Sequence, residues 1–200
     1  GQGRGISAIV ALGNDRFLVL ERNNRGLGVG ATLAGADKNV YEIDLAGATD
    51  VSGIALPASG ALPTGFVAVQ KVAKVGDLDA NTLAALGNRS PEKWEGLAIG
   101  PRLADGSYLV LAGTDNDYSV TQNGSNVQFD VWFDLGRAAA DALYDPYASS
   151  IQCPIGRTTG CFLTADANVA ATWTSNLELL PGVLHAYRAT IAGYVAPVPE

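Results

Sequence analysis

Apolar and polar residues alternate along most of the chain, and short clusters of Gly, Asn, Asp and Pro separate the alternating runs. This is the pattern of strands joined by tight turns. Ile6 to Arg22 predicts a hairpin with Gly13-Asn14-Asp15 as its turn. The Gly- and Asn-rich run from Arg22 to Asn39 predicts a loop, and Val40 to Leu45 a strand. Ala46 to Thr64 has no clear period and reads as loop with room for one short strand. In Phe66 to Val75 the β-branched residues and the alternation favour a strand, while Lys71 and Lys74 also suit a short helix. Asp79 to Leu86, ending at Gly87, is the best helix. Glu95 to Asp117 predicts a second hairpin, Val127 to Leu135 a strand, Ala138 to Tyr144 a helical turn before Pro146, and Leu184 to Tyr194 a last strand.

The two hairpins repeat one another. Phe17-Leu18-Val19-Leu20 lies over Tyr108-Leu109-Val110-Leu111 at an offset of 91, which brings Gly5 onto Gly96 and Ser7 onto Ala98. Tyr41-Glu42-Ile43-Asp44-Leu45 meets Val131-Trp132-Phe133-Asp134-Leu135 at an offset of 90. Each unit is then a strand, a turn, a second strand ending in polar groups, and a third strand, as in the blade of a β-propeller. The expected fold class is all-β, with blades of antiparallel strands. Nothing marks a domain boundary, so residues 1–194 are expected to form blades and 195–200 a Pro-rich tail.

Charge and cysteine content narrow the classes. Thirteen basic residues against 20 acidic give a net charge of −7 with no basic cluster, which argues against nucleic acid as a partner. An acidic surface also repels a polyanion unless a cation intervenes. Cys153 and Cys161, the only two cysteines, enclose the turn formers of Pro154-Ile155-Gly156 and Thr159-Gly160. That spacing predicts a local disulfide formed in an oxidising compartment, with free thiols as the alternative. No second Cys or His pair accompanies them as a metal site would require. No run of residues is long and apolar enough for a membrane span.

Glu95-Gly96-Leu97-Ala98, the Asp105-Gly106 turn and Thr114-Asp115-Asn116-Asp117, preceded by Gly5-Ile6-Ser7-Ala8 and Leu18-Val19-Leu20-Glu21-Arg22, carry a resemblance. Over about Gly3 to Tyr194 the chain resembles the bacterial secreted family known as "esterase-like activity of phytase". The resemblance implies a six-bladed ring, which needs more chain than the 200 residues here, so the expectation is the C-terminal part of a longer precursor. The expected partners are then the earlier blades of that precursor or copies of the chain itself. Val198-Pro199-Glu200 resembles the opening of a PEP-CTERM sorting signal, which implies export to the surface or exterior of a Gram-negative bacterium.

In a propeller the innermost strands direct polar residues at their ends into a central tunnel. Glu21, Arg22, Glu95, Asp115, Asn116 and Asp117 occupy such ends. Carboxylate and amide oxygens together suit calcium, which takes about six to eight oxygen ligands. Several calcium-dependent six-bladed hydrolases look similar and use the ion to polarise a carbonyl or phosphoryl oxygen. On that reading Glu21, Glu95, Asp115 and Asn116 hold Ca2+, Asp117 is ligand or base, and Arg22 or Arg4 steadies a small anionic ester substrate. Arg4 stands where Glu95 stands in the second unit, and Lys93 is a further anion contact. Each has a plainer role to set beside this: an Asx turn for 115–117, a capping carboxylate for Glu95, a rim ion pair for Glu21 and Arg22. His185, the only histidine, shares a strand face with Tyr187, and Trp94, Trp132 and Trp173 suit packing better than glycan stacking. There is no Gly-x-Ser-x-Gly elbow and no Arg-His-Gly motif. If the chain is an enzyme, metal-assisted hydrolysis of a phosphoester or carboxylic ester is the consistent chemistry. The alternative is an extracellular structural or self-assembling protein on the same fold.

Overall fold

The first hairpin forms where the alternation places it. In the computed structural model, which describes residues 4–26, 35–80, 91–115, 120–122, 127–141, 145–179 and 182–196, strand β1 is Gly5–Gly13 and β2 is Arg16–Arg22. Asn14 and Asp15 turn between them at φ 51° and 61°, the left-handed pair that matches the twist of a tight hairpin. Strands β3 (Lys38–Asp44) and β4 (Gln70–Asp77) complete a four-stranded antiparallel sheet in chain order. The β4 range settles the ambiguous run around Lys71 and Lys74 in favour of strand. The long connection from 45 to 69 is turns and irregular chain without a strand, as its composition indicates. Of the helix expected from Asp79, residues 78–80 are helical and the rest lies outside the described residues.

The second hairpin, β5 (Trp94–Arg102) with β6 (Tyr108–Thr114), repeats the first in register. Gly5 faces Arg22 as Gly96 faces Gly113, and Ala8 faces Leu20 as Ala98 faces Leu111. Ser7, expected over Ala98, is instead the extra residue of a bulge between Ile6 and Ala8, so the offset falls from 91 to 90 there. Its hydroxyl crosses to the other sheet and donates to the Trp94 carbonyl at 2.8 Å.

The third strand of the second unit is not the one the repeat suggested. β8 (Gln128–Phe133) forms as a strand but pairs with β7 (Val120–Gln122), β9 (Ile151–Pro154) and β12 (Glu178–Leu179) in a separate sheet. The place beside β6 is taken by β13 (Leu184–Ala189). Tyr187 of β13 faces Val110 as Tyr41 of β3 faces Val19, so a strand from far along the chain supplies the missing edge.

In the separate sheet, β10 (Cys161–Leu163) and β11 (Asp166–Ala171) continue from β9, and the Cys153–Cys161 disulfide ties β9 to β10. Helix α1 (Leu135–Ala140) starts on Asp134, whose Oδ1 accepts from the Arg137 N–H at 2.9 Å. A short α2 (Pro146–Ser149) follows. β9 to β12 were not expected as strands, being too short or too poor in apolar residues to show a period.

The main core lies between the first two sheets. Leu18, Leu20 and Val40 of one pack against Trp94, Tyr108, Val110, Ala112 and Ala189 of the other. Each large side chain buried there contributes about 1.5–3 kcal/mol. Trp94 is fully buried and meets His185 edge to face at a ring separation of 5.5 Å. A second cluster forms around the disulfide with Ile151, Trp132 and Trp173, the two Trp rings 5.6 Å apart. All three tryptophans are thus packing residues.

Candidate functional site

Charged residues gather where the core ends. Leu18, Leu20 and Arg22 alternate onto the inner face of β2, so the strand that buries two leucines carries its last side chain to the edge of the same interface. There Arg22 meets the start of β5. Its Nη1 donates to Glu92 Oε1 at 2.7 Å and its Nη2 to Glu95 Oε1 at 2.5 Å. Glu95 is the bulge residue between Trp94 and Gly96. Asp115 follows the end of β6, its N–H donating to the Lys93 carbonyl at 3.2 Å, and this brings its side chain into hydrogen-bonding contact with Glu95. Lys93 Nζ lies 3.9 Å from the same Glu95 oxygen.

Burial opposes the charge on Glu95, but the hydrogen bonds from the Asp115 and Arg22 side chains and the attraction of Arg22 and Lys93 outweigh it, holding its pKa below the usual 4.5. Two carboxyl groups keep a hydrogen bond between them only while one proton is shared. The Asp115 contact favours the ionised form of Glu95, which stands beside a guanidinium.

Behind this lies a deeper ionic layer that the sequence reading missed. Lys38 pairs with Arg22 across β2 and β3, and its side chain has 0% exposure. Its Nζ donates to the Arg25 carbonyl and stands 3.8 Å from Asp79, while Asp79 Oδ2 accepts the Lys38 N–H at 2.7 Å. Burial pushes the Lys38 pKa down, Asp79 and Glu92 pull it up, Arg22 pushes it down again, and the net direction is down. Asn23, also buried, donates to the Gly35 carbonyl at 2.7 Å and accepts from the Asp37 N–H at 3.1 Å. One signal for this layer was present in the sequence: Lys38, Val40 and Glu42 share one parity of an alternating strand, so Lys38 had to point inward with Val40.

The residues singled out from the sequence are not all brought together. Arg22, Glu95 and Asp115 meet. Glu21, one residue before Arg22, points to the opposite face of β2 and pairs with Lys71 Nζ at 2.7 Å. Arg4 is paired with Asp37. Asn116 and Asp117 lie outside the described residues. His185 and Tyr187 face the core together, as their parity indicated.

Calcium asks for about six to eight oxygen ligands. The described residues bring two carboxyl groups to one point, and the Arg22 guanidinium already occupies one of them. Among the described residues, no group of three or more Asp, Glu, His or Cys side chains is arranged to hold a metal ion. The described residues on their own do not make a calcium shell.

Antiparallel sheets stacked through a shared apolar core, with polar groups at the strand ends, define an all-β protein of propeller-blade architecture. The sequence profile of the phytase-like family described as "Esterase-like activity of phytase" matches residues 1–118. The chain belongs to that family. The match spans both hairpins, Arg22, Glu92, Glu95 and Asp115, and stops before β8. No curated protein and no solved structure matches the chain.

Proposed function

We propose that the chain is an exported esterase-like module that hydrolyses a small anionic ester, a phosphoester or a carboxylic ester, at the Arg22–Glu95–Asp115 cluster. The observation that carries this reading is the Glu95 carboxylate, held at once by a guanidinium and a second carboxyl group. Such a pair suits general acid–base work, in which one carboxylate takes a proton from the attacking water while the other group protonates the departing alkoxide. Water adds to the carbonyl or phosphoryl centre, the ester C–O or P–O bond breaks, and an acid and an alcohol leave. Lys93 offers the anion a cationic contact, and Arg22, held by Glu92 and Glu95, fixes the position of Glu95. Membership of a family whose description names esterase-like activity agrees with this chemistry.

Calcium enters the proposal as an added ion that Glu95 and Asp115 would share with Asn116 and Asp117. Calorimetric titration with Ca2+ tests that part alone. Heat of binding that disappears in Asp115→Asn supports it, and no heat in the unmodified chain removes it.

The hydrolytic reading is tested with p-nitrophenyl phosphate and p-nitrophenyl acetate. Glu95→Gln keeps the size of the side chain and an acceptor for Arg22, and is expected to lower turnover by about 10²–10³-fold. Unchanged turnover in a folded Glu95→Gln protein, or none in the unmodified chain with and without calcium, overturns it.

A further inference from the structure

The two sheets of the main core are related front to back. On the first sheet Val19 lies between Ile9 and Tyr41, and on the second Val110 lies between Ile99 and Tyr187. Ile6 and Leu97 also match across the two hairpins, as do Phe17 and Tyr108. The face that Leu97, Ile99, Tyr108, Val110 and Tyr187 form on the second sheet is therefore the face that Ile6, Ile9, Phe17, Val19 and Tyr41 form on the first. On the second sheet this front face is buried against the first sheet. On the first sheet its β1 side is open, with Ile6 61% and Ile9 59% exposed, whereas Phe17 and Tyr41 are half-buried and Val19 is fully buried. Lys71 crosses this face, its Nζ 4.1 Å from the centre of the Tyr41 ring and 2.7 Å from Glu21.

The back faces show the converse. Leu18 and Leu20 bury the back of the first sheet against the front of the second. Their counterparts Leu109 and Leu111 lie on the back of the second sheet, beside the exposed Ala98 and Ala186 and beside Leu184, which is 72% exposed. One chain thus carries a front open along β1 and an open back that repeat the two halves of an interface it already makes internally.

We infer that the chain binds a second copy of itself head to tail, the front of the first sheet of one copy packing on the back of β5, β6 and β13 of the next. The contact continues the internal packing by the same operation. It joins unlike faces, so it is heterologous: it closes into a ring or runs on as an open array according to the rotation per step. The inference does not depend on the hydrolytic reading.

Light scattering and sedimentation of the 200-residue chain test it, using Ile9→Asp to disable the front and Leu184→Asp to disable the back. Both side chains are exposed within the single chain, so neither change disturbs its core. The unmodified chain is expected to gain mass with concentration, and each variant alone to stay at the mass of one chain. A mixture of the two variants retains one working front and one working back and is expected to stop at the mass of a pair. A monomeric unmodified chain at every concentration, a variant that still associates alone, or a mixture that does not pair overturns the inference.

Discussion

Lys38 illustrates how a single residue can set the character of this site. An ammonium fully withdrawn from water is costly, and Asp79 and the Arg25 carbonyl, fixed beside it, offset most directly what burial costs. Removing Asp79 leaves that charge uncompensated. Asp79→Ala is therefore expected to lower stability by about 3–5 kcal/mol, measured by urea unfolding. A loss below about 1 kcal/mol would show that Lys38 is satisfied without Asp79. For Glu95 it is the charged form that the surroundings favour. Its folded pKa lies below 4.5, so its contribution to stability is complete above that pH and is lost as pH falls through the lower folded value. Unfolding followed from neutral to acid pH is expected to show a slope below pH 4.5 that Glu95→Gln flattens, while the slope above pH 4.5 stays as it was. An unchanged acid limb in that variant would mean that the Asp115 and Arg22 contacts do not favour the Glu95 carboxylate.

Strands and turns were legible to different degrees, for physical reasons that the disulfide region makes plain. Cys153 and Cys161 close a loop with a sequence separation of 8, short enough that cross-linking limits the unfolded chain by only about 2–3 kcal/mol. Reduction, or Cys153→Ser with Cys161→Ser, is expected to lower stability by about that amount and to raise hydrogen exchange in β9 and β10, measured peptide by peptide. Exchange in β1 and β2 that rose as much would contradict a local role. The cysteines could be paired from sequence because they stand close together on either side of a run rich in turn formers. Their strands could not be found, because β10 has three residues and β11 is exposed along nearly its whole length. β1, β2, β5 and β6 could be found because each runs long enough for alternation to show, and because the second hairpin repeats the first. The same repeat misled where pairing is decided by distant chain: β8 matches β3 in sequence, yet β13 holds the place beside β6. The site followed the same rule. Arg22, Glu95 and Asp115 lie at the ends of legible strands, whereas Glu92 lies in an irregular connection and Asp79 at the start of a helical turn, and only the packed sheets bring them to Arg22 and Lys38.

For the molecule as a whole, the consequence is that a local unit in sequence is not a local unit in stability. Leu20 is fully buried where the first sheet meets Trp94 and Val110, and the second sheet holds its far edge with β13, more than a hundred residues away in the chain. Leu20→Ala is expected to cost about 2–5 kcal/mol, with the cavity setting the value. Because β13 and β6 share this core with β2, amides of Tyr187 and Ala189 should lose protection in step with those of β2, while amides of β9 and β10, packed around the disulfide in a different cluster, should change less. Native-state hydrogen exchange resolves the two groups. If only peptides from residues 5–44 and 70–77 responded, the first sheet would be a stability unit of its own, and the charged cluster at its edge would be held by that sheet alone. If the β13 peptides respond with it, the seat of Arg22, Glu95 and Asp115 depends on the last strand of the chain. Shortening the chain before Leu184 should then loosen the carboxyl pair without touching any residue that forms it.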